Sequence, residues 1–249
     1  MIQSLDAGFG RLRAALSSLG LEEDTLIVFL SDNGPCSGSA PTDRFMAGLH
    51  GLKGTVYENG IRVPAIFYWP AGGVVGPSRS TAVPAAHIDV RPTVWEAAAP
   101  PNADGKPTAT GPAPAGPPVD GRSILGELRN TAEGGTSESP PDRELFFQWD
   151  SGQEPRKGAA FCVIDGDWKL VQPCGMDAPE QQHIRDRYTE LCRIQDRGDR
   201  SIEGEPRYEL YNLSDDPGEK QDVAEEHPER VADLRHAYEQ WFEEVSSED

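Results

Sequence analysis

Asp32 and Asn33 stand directly after a short apolar run, Leu26 to Leu30, within the sequence LIVFLSDNG. A carboxylate and an amide oxygen at the mouth of a strand are hard donors, and hard oxygen donors suit Ca²⁺ or Mg²⁺. Lys53 follows in a loop punctuated by Gly48, Gly51 and Gly54, before a second apolar run reaches Pro70. A lysine delivered beside a bound cation holds an anion. Cation and lysine together describe a pocket for a sulfate or phosphate ester. Asn33-Gly34 also suits a plain strand-end turn. Two donors out of the roughly six to eight oxygens that Ca²⁺ takes would bind it weakly on their own.

The elements around these residues read as an α/β arrangement. Thr25 to Leu30 is apolar and β-branched without polar alternation, as in a strand covered on both faces. Ligands in sheets of that kind gather at the carboxyl ends of the strands, which is where Asp32 and Asn33 fall. Ahead of the strand, Ile2, Leu5, Phe9, Leu12 and Leu16 recur at three- and four-residue steps. That spacing predicts an amphipathic, core-facing helix with Gly20 as its stop. A chain that opens straight into such a helix suggests a start in the middle of a domain. Val63 to Trp69, with Pro64 inside, reads as an edge strand or a strand start rather than a central strand. Ile88 to Trp95 reads as a turn into a short helix with Pro92 near its first turn.

Pro100 to Pro118 is rich in Pro, Gly, Ala and Thr and is expected to be a flexible surface insertion. Asp120 to Leu125 reads as a short docked segment and Thr131 to Asp142 as loop. From Arg143 the pattern changes to short strands. Leu145–Trp149, Ala159–Ile164, Trp168–Val171 and Tyr208–Leu213 are the candidates, and Asp165-Gly166-Asp167 is a hairpin signal. A helix near Pro228 to Val245 closes the chain, with Trp149, Trp168, Trp241 and Phe242 as core. The expected division is therefore 1–142, part of an α/β domain, followed by 143–249, a small α+β domain of antiparallel sheet and terminal helix.

Bulk composition excludes several functions. Lys and Arg number 23 against 42 Asp and Glu, a net charge of −19 in 249 residues. Nonspecific nucleic-acid binding needs Lys and Arg on phosphates, and anionic membrane surfaces are disfavoured for the same reason. No apolar run reaches the roughly 18 residues of a transmembrane span. The first residues lack the basic start and continuous apolar core of a signal peptide. Cys36, Cys162, Cys174 and Cys192 include no C-x-x-C pair, so spacing offers neither a zinc site nor a preferred disulfide among the three pairings that four cysteines allow.

Six segments in order resemble one family: SDNG, GLKGTVYENGIRVPAIFYWP, HIDVRPTVWEAA, VDGRSIL, DGDWKLV and YELYNLSDDPGEKQDVAEEHPERV. Together they are similar to the carboxy-terminal half of a sulfatase of the arylsulfatase type, over nearly the whole chain. The resemblance implies a partial alkaline-phosphatase-like α/β domain followed by a smaller domain with a four-stranded sheet. It implies hydrolysis of sulfate esters with a bound Ca²⁺. It also implies a formylglycine, made from the first residue of a C-x-P-S-R motif, whose hydrate attacks sulfur. By the same resemblance, Asp32 and Asn33 match calcium ligands and Lys53 matches a lysine on the substrate sulfate. Asn59 stands where the family commonly has glycine, and His50 where it has arginine.

The resemblance is incomplete in its chemistry. No C-x-P-S-R occurs, and Cys36 is followed by Ser-Gly-Ser, so it is expected to be structural or disulfide-forming. The aspartate pair and the histidines that complete the family's site have no counterpart. The expectation is a chain inactive alone. The alternative is a noncatalytic interaction module, or a split half that needs an N-terminal partner. A phosphatase or phosphodiesterase of the same superfamily fits less well, because such enzymes use several Asp and His ligands for two metals. Arg62 is expected to pair with Glu58, His50 to be a surface or core residue, and His87 to pack or cap. The turn Asp215-Asp216-Pro217-Gly218-Glu219 lacks the ligand spacing of an EF-hand and reads as a β-turn. A secreted, periplasmic or lysosomal location is implied by family analogy only.

Overall fold

The computed structural model describes residues 1–35, 45–75, 83–99, 120–133, 143–149, 157–173 and 208–247. The Pro100–Pro118 insertion, Cys36, Cys174 and Cys192 lie outside the described residues. The chain divides into two compact units, 1–30 with 65–141, and 31–64 with 142–249. The segment 31–64 therefore groups with the C-terminal sheet.

In the first unit, helix α1 spans Ile2–Ser18. It ends in a Schellman motif: the Leu21 amide donates to the Leu16 carbonyl at 2.9 Å and the Gly20 amide to Ser17 at 3.0 Å, with Gly20 at φ +69°. The predicted periodicity forms the helix but does not bury it. No α1 residue is buried, and Ile2 and Leu12 are 85% and 55% exposed. Strand β1, Ile27–Leu30, pairs antiparallel with β2, Ala65–Tyr68, in a sheet that has two strands among the described residues. Each β1 residue is half-buried, so the two-sided burial expected of this run is absent among the described residues. Pro64 sits immediately before β2, as an edge strand tolerates.

Two of the sequence segments meet at Asp89 in this unit. A 3-10 turn, His87–Asp89, leads into α3, Val90–Ala98. The buried Asp89 carboxylate accepts the Ala86 amide at 2.8 Å and the Arg122 amide at 2.9 Å. Thr93 Oγ1 donates to the Asp89 carbonyl and accepts the Ile124 amide. A Cβ on Gly121 would stand 1.9 Å from the Ile88 carbonyl oxygen, so only glycine permits this approach. Helix α4 then runs Leu125–Glu133. It corrects the expectation of loop from Thr131, since Thr131–Glu133 are helical. Asp89→Asn turns one acceptor oxygen into a donor facing a backbone N–H. A loss of about 1–2 kcal/mol is expected in urea denaturation.

The second unit is built on the sheet β3–β4–β5–β6, all antiparallel: Leu145–Trp149, Ala160–Asp165, Trp168–Gln172 and Glu209–Asn212. The predicted hairpin closes with Asp165 opposite Trp168 and Gly166 at φ +57°, which an L side chain adopts rarely. The terminal helix, here α5, spans Pro228–Ser246 with proline at its start. Strand alternation gives the sheet two buried faces. Phe161, Val163, Leu170 and Leu210 pack with Leu234 and Tyr238 of α5. Ala160, Cys162, Val171 and Tyr211 pack with Val56 and Tyr57. Phe161 stacks on Tyr238 with ring centroids 3.5 Å apart, and Trp168, Trp241 and Trp149 border these clusters as expected. Lys169 lies between Trp168 and Leu170, and alternation turns it to the face that Val56 and Tyr57 cover.

Candidate functional site

Asp32, Asn33 and Lys53 all belong to the second unit. Asp32 is exposed and Asn33 half-buried. Ser31 Oγ donates to the Asn33 carbonyl at 3.2 Å. The Asn33 amide nitrogen donates to the Gly34 carbonyl at 2.9 Å, which leaves its Oδ1 as the acceptor atom. Two backbone bonds then join this stretch to the glycine-rich loop. The Gly34 amide donates to the Gly60 carbonyl at 2.8 Å, and the Lys53 amide to the Pro35 carbonyl at 3.0 Å. The Asp32-Asn33 turn and the loop that carries Lys53 are thereby adjacent. The Lys53 side chain is exposed.

The loop is folded by its own polar groups. Thr55 Oγ1 donates to the Leu52 carbonyl and accepts the Leu52 amide, closing a turn that contains Lys53. Gly51, at φ +92°, and Gly60 both lie against Thr55. A Cβ on Gly51 would meet Thr55 Oγ1 at 2.5 Å, and one on Gly60 would meet the Thr55 carbonyl oxygen at 2.2 Å. Asn59 is buried, and its side-chain amide donates to the Gly51 carbonyl at 2.9 Å. It is a structural residue of the loop.

Arg62 pairs with Glu58 one helical turn away in α2, Glu58–Ile61, as the sequence predicted. The rest of the environment of Glu58 was not predicted. Glu58 Oε1 lies 2.9 Å from Lys169 Nζ, and Glu219 Oε1 lies 2.8 Å from the same nitrogen. Glu219 Oε2 accepts the Glu58 backbone amide at 2.7 Å. All three side chains are buried. Burial opposes ionisation of Glu58, but Lys169 and Arg62 outweigh it and hold its carboxyl below the ordinary range. Burial likewise opposes the Lys169 ammonium and is outweighed by its anionic neighbours. Glu219, with burial outweighing the Lys169 ammonium, is pushed upward. The adjacent Tyr57 hydroxyl donates to Glu209 Oε2 at 2.8 Å, and the Tyr211 hydroxyl to the same oxygen at 2.7 Å.

The Asp215–Glu219 turn behaves as a turn and not as an acidic metal loop. Asp216 accepts the Lys220 and Gln221 amides, and Glu219 turns inward at φ +51°. His87 lies in the first unit, exposed. Cys162 is fully buried, and burial pushes its thiol up to about 12, so it is no nucleophile.

The His50 ring lies tilted against Tyr57 with centroids 4.0 Å apart, and its buried Nδ1 has no hydrogen-bond partner among the described residues. Burial is the main cause of its depressed pKa. The folded pKa lies below the unfolded value, so the unfolded chain binds more protons as the pH falls through about 6.5. Stability contributed by neutral His50 is present above that pH and lost below it. Between about pH 8 and pH 5.5 the urea midpoint is expected to fall, and to fall less in His50→Phe.

Among the described residues, no group of His, Cys, Asp or Glu side chains could by itself hold a metal ion. Asp32 and Asn33 offer hard oxygens of the type that Ca²⁺ takes, so the pair fits as part of a coordination sphere of about six to eight donors.

Solved structures share this fold. A sulfatase from Pseudoalteromonas sp. superposes with a TM-score of 0.65 at 20% identity, over 96% of this chain and 41% of that one. A structure described under glycosaminoglycan metabolism by Bacteroides thetaiotaomicron gives 0.62 at 27% identity, over 95% and 42%. The phosphonate monoester hydrolase of Agrobacterium radiobacter gives 0.54 at 19%, a likeness of fold alone. The fold class is therefore alkaline-phosphatase-like α/β, present in part, with an appended α+β sheet and helix. Residues 1–99 match the family model described as Sulfatase. The N-acetylgalactosamine-6-O-sulfatase of Bacteroides thetaiotaomicron is 29% identical over 94% of this chain, and human arylsulfatase A is 29% identical over 88%. The likeness to the sulfatase family thus covers residues 1–99 by the family model and most of the chain by these relatives. The chain spans 39% and 37% of the length of those two relatives.

Proposed function

We propose that this chain carries part of the substrate site of a sulfuric ester hydrolase of the arylsulfatase type. Asp32 and Asn33 contribute oxygens to a Ca²⁺ ion, and Lys53 contacts the ester sulfate. The observation that carries the reading is the pair of backbone bonds, Gly34 to Gly60 and Lys53 to Pro35, which hold donor pair and lysine side by side. A bound Ca²⁺ would spread the charge that develops on the sulfate during ester cleavage. The Lys53 ammonium adds a second positive charge and three donors.

The chain contains no C-x-P-S-R, so these residues supply no formylglycine position. The purified chain is expected to show no turnover of an aryl sulfate, and turnover above that of Lys53→Ala would overturn this. Calorimetric titration tests the site itself. Weak Ca²⁺ binding is expected, abolished in Asp32→Ala. Inorganic sulfate should bind only with Ca²⁺ present and lose about tenfold in affinity in Lys53→Ala, on the order of 1.4 kcal/mol. Equal sulfate binding by Lys53→Ala and wild type would remove Lys53 from the site.

One observation supports a second reading, a noncatalytic interaction module or a split half that an N-terminal partner completes. Apolar residues Ile2, Leu5, Leu12 and Ile66 of the first unit are more than half exposed. Apolar faces of that kind favour association. Intact mass and amino terminus of the native protein in its source separate the readings. A longer chain with C-x-P-S-R and the mass change of formylglycine supports a calcium-dependent sulfatase. A native chain beginning at Met1 supports the interaction module. Among the described residues no helix is long and apolar enough to cross a membrane.

A further inference from the structure

We infer that Lys169, with Glu58 and Glu219, is a positioning residue for the ester site, through which the C-terminal sheet sets the place of Lys53 and of the Asp32-Asn33 turn. The inference rests on the reading of those three residues as a cation and sulfate site. Every residue in the chain of contacts lies in one compact unit.

The path begins in the sheet. Lys169 is on β5, flanked in the ladder by Ile164 of β4 and Tyr211 of β6. Its ammonium reaches Glu58 at 2.9 Å and Glu219 at 2.8 Å. Glu58 is then held at three atoms: Oε1 by Lys169, Oε2 by Arg62, and the backbone amide by Glu219. Tyr57 beside it is held by Glu209 of β6. Residues 57 and 58 are thus fixed to the sheet by separate buried polar groups. From there the Gly60 amide bonds to Tyr57, the Gly60 carbonyl accepts from Gly34, and Gly34 adjoins Asn33. On the other side, Thr55 closes the turn that bears Lys53, and the Lys53 amide bonds to Pro35.

An apolar contact would hold such a loop at lower cost. A buried ion cluster carries a desolvation penalty that apolar residues of the same volume avoid, and its best-attested use is to fix one arrangement among several. Val56 and Tyr57 already provide an apolar contact with the sheet. The cluster adds direction: Lys169 can satisfy both carboxylates only with Glu58 and Glu219 in this register. Glu219 adopts φ +51°, uncommon for a non-glycine residue, and that conformation brings its carboxylate inward.

Hydrogen exchange on the 249-residue chain, followed by mass spectrometry, tests the inference. The variant Lys169→Met/Glu219→Gln removes one charge of each sign. Amides of Gly34, Lys53, Thr55, Asn59 and Gly60 are expected to exchange at least about tenfold faster, while β3 and β4 amides keep their wild-type rates. Unchanged loop exchange overturns the inference. Equal acceleration across the loop and the sheet also overturns it, because the cluster would then be a stabilising element only. Should the double variant fail to fold, Glu219→Gln alone retains the Lys169–Glu58 pair, and the same comparison decides. Inorganic sulfate with Ca²⁺ is titrated in parallel, with an expected loss of about tenfold in the positioning variant. If wild type and Lys53→Ala bind sulfate alike, the reading of Lys53 fails while the exchange result still decides the positioning role.

Discussion

Lys169→Met is expected to destabilise the sheet unit by about 3–5 kcal/mol in urea denaturation, because it leaves two buried carboxylates facing each other without their shared cation. Glu58 retains Arg62 as a partner, whereas Glu219 retains, among the described residues, the Glu58 backbone amide. Glu219 should therefore take up a proton in the variant at a pH where the wild type is ionised. The loss should accordingly be smaller at about pH 5 than at about pH 8, since protonation removes the uncompensated charge. A companion variant, Lys169→Met/Glu58→Gln/Glu219→Gln, has no buried charge left from this cluster and keeps an acceptor for the Glu58 amide. It should recover most of the stability. A loss below about 1 kcal/mol in the single variant would mean that water reaches the cluster and pairs the carboxylates instead.

That cluster shows what a linear sequence conceals. Arg62 and Glu58 are four residues apart and were legible as a helical pair. Lys169 is separated from Glu58 by 111 residues, and Glu58 from Glu219 by 161. No periodicity registers contacts of that range. In W-K-L-V the lysine reads as the solvent-facing member of an alternating strand. It is buried because the sheet has a second cover, the Val56-Tyr57 segment, which no local pattern announces. The motif residues Tyr57, Glu58 and Glu219 were visible as text, and their joint purpose was not.

The sheet itself was legible for the opposite reason. Its strands are joined by a tight hairpin and flanked by turn residues, so each carries its own local signal. The first unit reads less well. Ile27–Leu30 has the composition of a strand buried on both faces, yet among the described residues it pairs with β2 alone, antiparallel. Ile2, Leu5 and Leu12 have the spacing of a core-facing helix and stay exposed. Composition reports the cover a segment can use, and not the cover these residues provide. Helix α4 was missed because Gly126 and Asn130 weaken its propensity and its apolar face is short. The proposed donor residues Asp32, Asn33 and Lys53 were singled out from type and motif. What the fold adds is their adjacency, through backbone bonds that side-chain identity cannot encode.

Gly34→Ala should act on stability and on the site together. A Cβ at Gly34 would stand 1.7 Å from the Asn59 carbonyl oxygen, 2.7 Å from its carbon and 2.9 Å from Gly60 Cα. These are backbone atoms, so no side-chain rotation relieves the clash. The loop must move away, and the 2.8 Å bond from the Gly34 amide to Gly60 is lost with it. Overpacking of this kind costs about 1–3 kcal/mol, and a buried backbone group left unpaired about as much again, so a loss of about 3 kcal/mol is expected. Asp32 and Asn33 would part from the loop that carries Lys53. Sulfate binding in the presence of Ca²⁺ should therefore fall at least about tenfold, as in Lys53→Ala. Gly10→Ala is the control: nothing lies within 4 Å of its added Cβ, and Gly10 is interior to α1. It should leave binding unchanged and gain about 0.5–1 kcal/mol of helix stability. If Gly34→Ala destabilises the unit and keeps wild-type sulfate affinity, the close approach at Gly34 holds the fold alone. If it lowers affinity without unfolding, the same approach aligns the cation donors with the lysine.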